Sequence, residues 1–306
     1  MRHRLFVIFL SMPFVWACSG AGSALKAGQE PVQEKEEMTL ADRAENYEQQ
    51  CEGDLGLAAS GLAALEKIKP GGSVASVLEP INDFLVVLDR GANEAALYRN
   101  VHPLKSVRDV AVGCEQKFAD MGTSFSLSRS IYDAIAALDT SAEETSTQRY
   151  VEHLKRDFRR AGVDQDDATR KRVRELQEEL IKIGQSFGKN IREDVRELKL
   201  DSVQDLEGLP EDYIAAHPAN DEGKVVLTTN YPDYVPYMTY AKSDASRLAF
   251  YKEFRKRGYP KNLEVLDSLI AARHELANLL GYRSWSHYVT EDKMIKTDTA
   301  AREFIE

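Results

Sequence analysis

One stretch of this 306-residue chain places metal-binding residue types on a helical pattern: Arg273-His274-Glu275-Leu276-Ala277-Asn278. Two imidazoles four residues apart on one helical face can hold zinc, with the glutamate after the first activating a water. Here the fourth position is Asn278, so one imidazole stands alone and a His-Glu pair on a helix surface is the expectation. His102, His153, His217 and His287 are scattered and form no ligand spacing. Glu211 and Asp212 are adjacent acids behind Pro210. Neighbouring helix residues point in different directions, and the free amides of a first turn favour negative charge, so a structural cap accounts for the pair. No Gly-x-Ser-x-Gly elbow and no Gly-Lys-Ser/Thr phosphate loop occurs, and Gly20-x-Gly22 opens no βαβ unit. The sequence therefore yields no catalytic residue and no metal ligand.

The three cysteines carry the remaining chemistry. Met1-Arg2-His3-Arg4 is basic, Leu5 to Trp16 is apolar but shorter than the roughly 20 residues that span a bilayer, and Val15-Trp16-Ala17-Cys18 follows. This pattern resembles a bacterial lipoprotein signal, departing from it at the bulky Trp16. A transmembrane anchor fits less well, given the length and Pro13. The resemblance implies a signal peptide over 1–17, lipid on Cys18, and a flexible tether over 18–36 rich in Gly, Ser and Ala near its start. Ser19 after Cys18, in place of an aspartate, points to the outer membrane facing the periplasm. In that oxidising compartment Cys51 and Cys114, both in helical patterns, can pair with one another or remain small buried apolar residues.

The elements that must position any site are helical. Leu40 to Leu65 and Val74 to Leu97 form a hairpin around Pro70-Gly71-Gly72. Pro103 to Met121 and Ser126 to Leu138 follow, broken at Gly122-Thr123-Ser124, and Thr145 to Ala161 ends at Gly162. From Asp166 to Leu200 the apolar residues Val173, Leu176, Leu180, Ile183, Phe187, Ile191 and Val195 recur in steps of three and four, predicting one long amphipathic helix. No useful strand alternation precedes residue 200. Lys224 to Thr229 is rich in β-branched residues and reads as a strand, closed by Tyr231-Pro232-Asp233-Tyr234-Val235-Pro236, a segment ordered by its tyrosines more than by a backbone ladder. Helices resume over Ser243 to Arg257 and Leu263 to Leu280, and Thr297-Asp298-Thr299 starts another. The fold class is thus mostly α, a multi-helix body over 37–306 with one small β element near 224–236. A net charge of −10, with basic clusters short and interleaved with acids, argues against nucleic acid as a partner.

Six pieces from Tyr150 onward occur together: Phe158-Arg159-Arg160-x-Gly162, Phe187-Gly188-Lys189-Asn190-Ile191-Arg192-Glu193-Asp194, Leu209-Pro210-Glu211-Asp212-Tyr213, Tyr231 to Pro236, Arg247-x-x-x-Tyr251-x-x-Phe254, and Leu279-Leu280-Gly281-Tyr282 with Tyr288 and Lys293-Met294. In this order they resemble the thimet oligopeptidase, neurolysin and oligopeptidase A family of zinc metallopeptidases. The resemblance implies the amino-terminal part of a helical body whose two lobes flank a channel for short peptides. It also implies a zinc held by His-Glu-x-x-His, a signature the family places beyond the segments matched. No zinc is expected to bind this chain specifically.

Two readings follow from the sequence. In the first, the chain is the amino-terminal portion of an exported, lipid-anchored oligopeptidase, inactive alone, with a complementing carboxy-terminal half as partner. In the second, it is a stand-alone helical lipoprotein that binds peptides or a partner protein without catalysis.

Overall fold

The computed structural model describes residues 40–306, so the signal, the tether and Cys18 lie outside the described residues. Three long helices open the body: α1 (Leu40–Leu65), α2 (Val74–Val101) and α3 (Lys105–Ser126). Each packs on the other two. Their facing side chains, among them Ala58, Ile81, Phe84, Ala95, Ala111 and Phe118, are buried at helical spacing and form the largest core. Gly91 permits a close approach of α2 to α3, because a Cβ there would overlap the Phe118 ring. The expected break at Gly122-Thr123-Ser124 is absent. The turn stays helical, the Thr123 and Ser126 hydroxyls bond back to the carbonyls of Ala119 and Thr123 within it, and Leu88 of α2 lies at ordinary contact distance, 3.6 Å, from where a Gly122 Cβ would be.

The short α4 (Arg129–Ala136) leads to α5 (Thr145–Ala161), whose Phe158 meets Phe125 edge-on at 5.0 Å and so extends the same core. Gly162 ends α5 at φ 99°, where Leu280 crowds the site a Cβ would occupy. Asp166 then starts α6 (Asp167–Glu193) by accepting the Thr169 amide at 2.8 Å. Val173 and Leu176 are fully buried against Ala272 and Leu276 of α10 (Asn262–Leu279), while α6 also packs on α3.

The amphipathic stripe was expected to run as helix to Leu200, but α6 ends at Glu193. Val195 is 45% exposed, and Glu197–Leu200 is a strand, β1. Its Glu-Leu-Lys-Leu alternation buries Leu198 and Leu200, which pair with Leu227 and Val225 of the antiparallel β2 (Val225–Thr228). The expected strand is thus confirmed at 225–228, and its partner is the tail of the apolar stripe. The β element stops there. Tyr231–Tyr240 is helical (α8), with Pro232 in the first turn, where an amide has no partner to lose, and Pro236 giving up one backbone bond. A second core gathers Leu206, Leu209, Tyr213 from α7 (Glu211–Ala216), Tyr237 from α8 and Phe250 from α9 (Asp244–Arg255) around this ribbon. After α10 come α11 (Trp285–Thr290) and α12 (Asp298–Ile305), the latter capped by the Thr297 hydroxyl.

Candidate functional site

The His274-Glu275 pair lies on α10, and its geometry is structural. Arg172 of α6 donates from Nε and Nη2 to the two Glu275 oxygens at 2.6 and 2.9 Å. These bonds, with the guanidinium charge behind them, hold the Glu275 carboxyl below the usual glutamate range. The Asn278 side-chain amide lies 2.9 Å from His274 Nε2, where a second imidazole would share a metal. Glu275 is turned to an arginine and His274 to an amide, so these residues do not fit zinc. Among the described residues, no group of three or more His, Cys, Asp or Glu is arranged to hold a metal.

The motif pieces spread along the sequence meet in pairs. Arg160, near the end of α5, donates to the Tyr288 carbonyl at 2.7 Å, pairs with Glu291, and lies 4.7 Å from the Tyr288 ring centroid. Tyr282 completes the cluster by donating to Glu291 at 2.6 Å. In this way the Phe158-to-Gly162 piece holds the Leu279-to-Tyr288 piece.

The tail of α6 makes the second pair, with the turn between α9 and α10. Asp194 Oδ2 accepts the Gly258 amide at 2.8 Å and Arg196 Nη2 at 3.0 Å. Asn190 donates to Asn262 Oδ1 at 2.8 Å, and the buried Asn262 amide in turn donates to the Phe187 carbonyl at 3.1 Å. Gly258 sits at φ 79° with Asn262 and Ile191 against its missing side chain, so a larger residue is excluded. Phe187 and Ile191, expected as core anchors, are only half-buried; the polar Asn190 and Asp194 do the fastening.

Asp233 organises the third pair. Its Oδ2 accepts the Thr228 amide at 2.9 Å and hydroxyl at 2.5 Å, and Oδ1 lies 3.1 Å from His217 Nε2. Tyr213 stacks on His217 and donates to the Asp233 carbonyl at 2.9 Å. Burial alone would raise the Asp233 pKa, but the hydroxyl, the amide and the imidazole outweigh it and hold the carboxyl below its ordinary value. Glu211 and Asp212 occupy the first turn of α7, the position that capping assigns them. Asp233 and His217 give no signal of this contact in the sequence, because they stand 16 positions apart with the strand β2 between them.

Cys51 of α1 and Cys114 of α3 form a disulfide with Cα atoms 6.3 Å apart, both side chains buried in the three-helix core.

Comparison with known proteins agrees with this framework. Residues 237–306 match the model of Peptidase family M3. The chain is 28% identical to saccharolysin of Saccharomyces cerevisiae over 246 residues, 76% of this chain and 34% of that protein. It is 28% identical to oligopeptidase A of Escherichia coli over 176 residues, 53% of this chain and 26% of that protein. With a thimet-like oligopeptidase of Dictyostelium discoideum it shares 23% identity over 285 residues, 90% of this chain and 42% of that protein. The chain thus spans between about a quarter and two fifths of these relatives. The motif pieces are thus fastened to one another in a chain that is similar to these relatives and whose residues 237–306 match Peptidase family M3.

Proposed function

We propose that this chain is the amino-terminal, non-catalytic portion of an exported zinc oligopeptidase that hydrolyses short peptides. In this reading Cys18 carries the lipid that anchors it, and it faces the periplasm from the outer membrane. The observation that carries the reading is the alignment of the chain with about a third of saccharolysin, with the family match beginning at Tyr237.

Exposed apolar side chains support a complementing half. Leu263, Leu266 and Ile270 form a stripe along α10, Leu248 and Tyr251 project from α9, and Phe304 and Ile305 from α12 are more than four-fifths exposed. Such surface is the kind that a further lobe covers. The zinc ligands belong to that half, since His274 and Glu275 are otherwise engaged.

The test is the coding sequence beyond codon 306, which is expected to encode His-Glu-x-x-His. Its biochemical counterpart mixes the chain with the encoded segment and follows a quenched fluorescent peptide. Cleavage is expected from the mixture and not from the chain alone. Cleavage by the chain alone, with stoichiometric zinc that is lost on His274→Ala, would overturn the reading.

A further inference from the structure

At one corner of the helical body α2 ends, α3 begins and α6 runs past both, enclosing a cleft of about 360 Å³. Six cations line it: Arg99 of α2, Lys105 and Arg108 of α3, and Lys182, Lys189 and Arg192 of α6. Asp109 and Glu193 are the acids among the lining residues. Lys105 pairs with Asp109 at 2.5 Å, Lys189 lies 4.0 Å from Glu193, and Arg99 is taken by Glu115 behind the wall.

The other three cations have no carboxylate within ion-pair distance among the described residues. Arg108 donates to the carbonyls of His102 and Pro103 at 2.6 and 2.9 Å. Arg192 donates to Asn100 Oδ1 at 3.0 Å, an oxygen that Arg99 also approaches at 3.3 Å. Two guanidinium groups therefore converge on one neutral oxygen. Burial, reinforced by the Arg99 charge, holds the Arg192 pKa below its ordinary value. The Lys182 ammonium has no hydrogen bond or ion pair to another described residue.

The floor of the cleft is fixed. Buried Gln185 donates to the Val112 carbonyl at 3.2 Å and to Glu115 at 2.6 Å, and accepts from Gln116 at 2.6 Å. The 22-residue α3 starts at the rim with no side-chain cap and no acid in its first turn, so its amide end adds to the positive potential. A solvated helix face balances its charges at i, i+4 spacing. This concave site does so for Lys105 and Lys189 but leaves Arg108, Arg192 and Lys182 without an ion pair among the described residues, in a chain whose net charge is −10.

We propose that this cleft is an anion site for a multivalent phosphate-class group, held by Arg108, Arg192 and Lys182. A single carboxylate would balance one of the three unpaired charges, whereas a phosphoryl anion balances more and offers several oxygens to guanidinium forks. The site is independent of the peptidase reading, and its ligand is either a free phosphate compound or a phosphate headgroup at a lipid surface.

The full chain is titrated with inorganic pyrophosphate by calorimetry at low salt, and sedimented with phosphatidylcholine vesicles made with and without phosphatidylglycerol. Arg108→Gln with Arg192→Gln is expected to weaken binding about tenfold or more, the loss of one or more charge-assisted bonds. The exposed Lys182→Gln, which leaves the packing intact, should weaken it in the same direction, and Lys69→Gln on the distant α1–α2 turn should not. Pyrophosphate binding with this pattern identifies a free phosphate ligand. Binding to the anionic vesicles alone, with the same pattern, identifies a headgroup. No binding in either arm, or binding that Lys182→Gln and Lys69→Gln reduce equally, overturns the proposal.

Discussion

Arg172 and Glu275 face each other across the α6–α10 contact as a two-point ion pair, with both Glu275 oxygens taken by one guanidinium. The glutamate that sequence pattern sets beside a histidine is thereby a fastener between helices. Both side chains are more than a third exposed, so solvent screens the pair. Glu275→Gln should lower the thermal midpoint by no more than about 2 °C. His274→Ala should leave the metal content unchanged by elemental analysis. A large midpoint loss would mean that the pair is a principal tie of α6 to α10.

Asp194 is expected to matter more, because its carboxylate accepts the backbone amide of Gly258 in the turn between α9 and α10. Asp194→Ala removes the acceptor of the Gly258 amide together with one of the partners of Arg196, which keeps Glu253 and the Tyr259 carbonyl, and should cost about 1–3 kcal/mol in urea unfolding. Asp194→Asn keeps an acceptor oxygen and loses the charge, so it should fall between wild type and alanine. Equal losses for both variants would show that charge, not the amide contact, carries the tie.

Much of this architecture was legible in advance. The α1–α2 hairpin, the Gly162 cap, α10 and the strand at 225–228 follow from period and punctuation, since local sequence alone decides them. Where the expectation failed, tertiary contact decided. Residues 195–200 continue a helical stripe on paper, yet Leu198 and Leu200 are worth more paired with Leu227 and Val225. Pro232 and Pro236 suggested an extended segment, but one falls in a helical first turn and the other loses a single bond. The cationic cleft was hidden for a related reason. Its members come from α2, α3 and α6, and the runs that stand out in sequence, such as Arg170-Lys171-Arg172, lie elsewhere.

Asp233 gives the ribbon an acid limit. Its folded pKa is depressed, so its contribution is present above the unfolded aspartate value of about 3.9 and is lost as pH falls through the lower folded value. Urea midpoints followed from neutral pH downward should therefore drop below about pH 4. Asp233→Asn should be less stable at neutral pH, and its difference from wild type should shrink through the same window. A difference that stays constant with pH would assign the effect to packing against Tyr213 and Thr228.

Gly91 tests how closely α2 and α3 must approach. A methyl group there would overlap the Phe118 ring, and Phe118 is itself buried between the helices with little room to turn. Alanine usually favours a helix over glycine by up to about 1 kcal/mol, but overpacking a core costs about 1–3 kcal/mol. Gly91→Ala should thus destabilise, and Gly91→Ala with Phe118→Leu should recover part of the loss. A stabilising Gly91→Ala would mean that the two helices can separate without cost.

The Cys51–Cys114 bond links α1 to α3 across 63 residues of sequence, a span that includes all of α2. Closing a loop of that length restricts the unfolded chain, and the chain-entropy estimate is about 4 kcal/mol. Both cysteines are buried in the same apolar core as Ala58, Ala111 and Phe118, so the reduced form should retain its packing and lose mainly the constraint. Cys51→Ala with Cys114→Ala adds two small voids, which reduction alone does not create. Reduced wild type should therefore unfold at lower urea than the oxidised protein, and the double variant at lower urea still. Unfolding of the double variant should also be insensitive to dithiothreitol. If reduction left the wild-type midpoint unchanged, the three-helix core alone would set the stability of this part of the chain, and the bond would have no measurable structural effect.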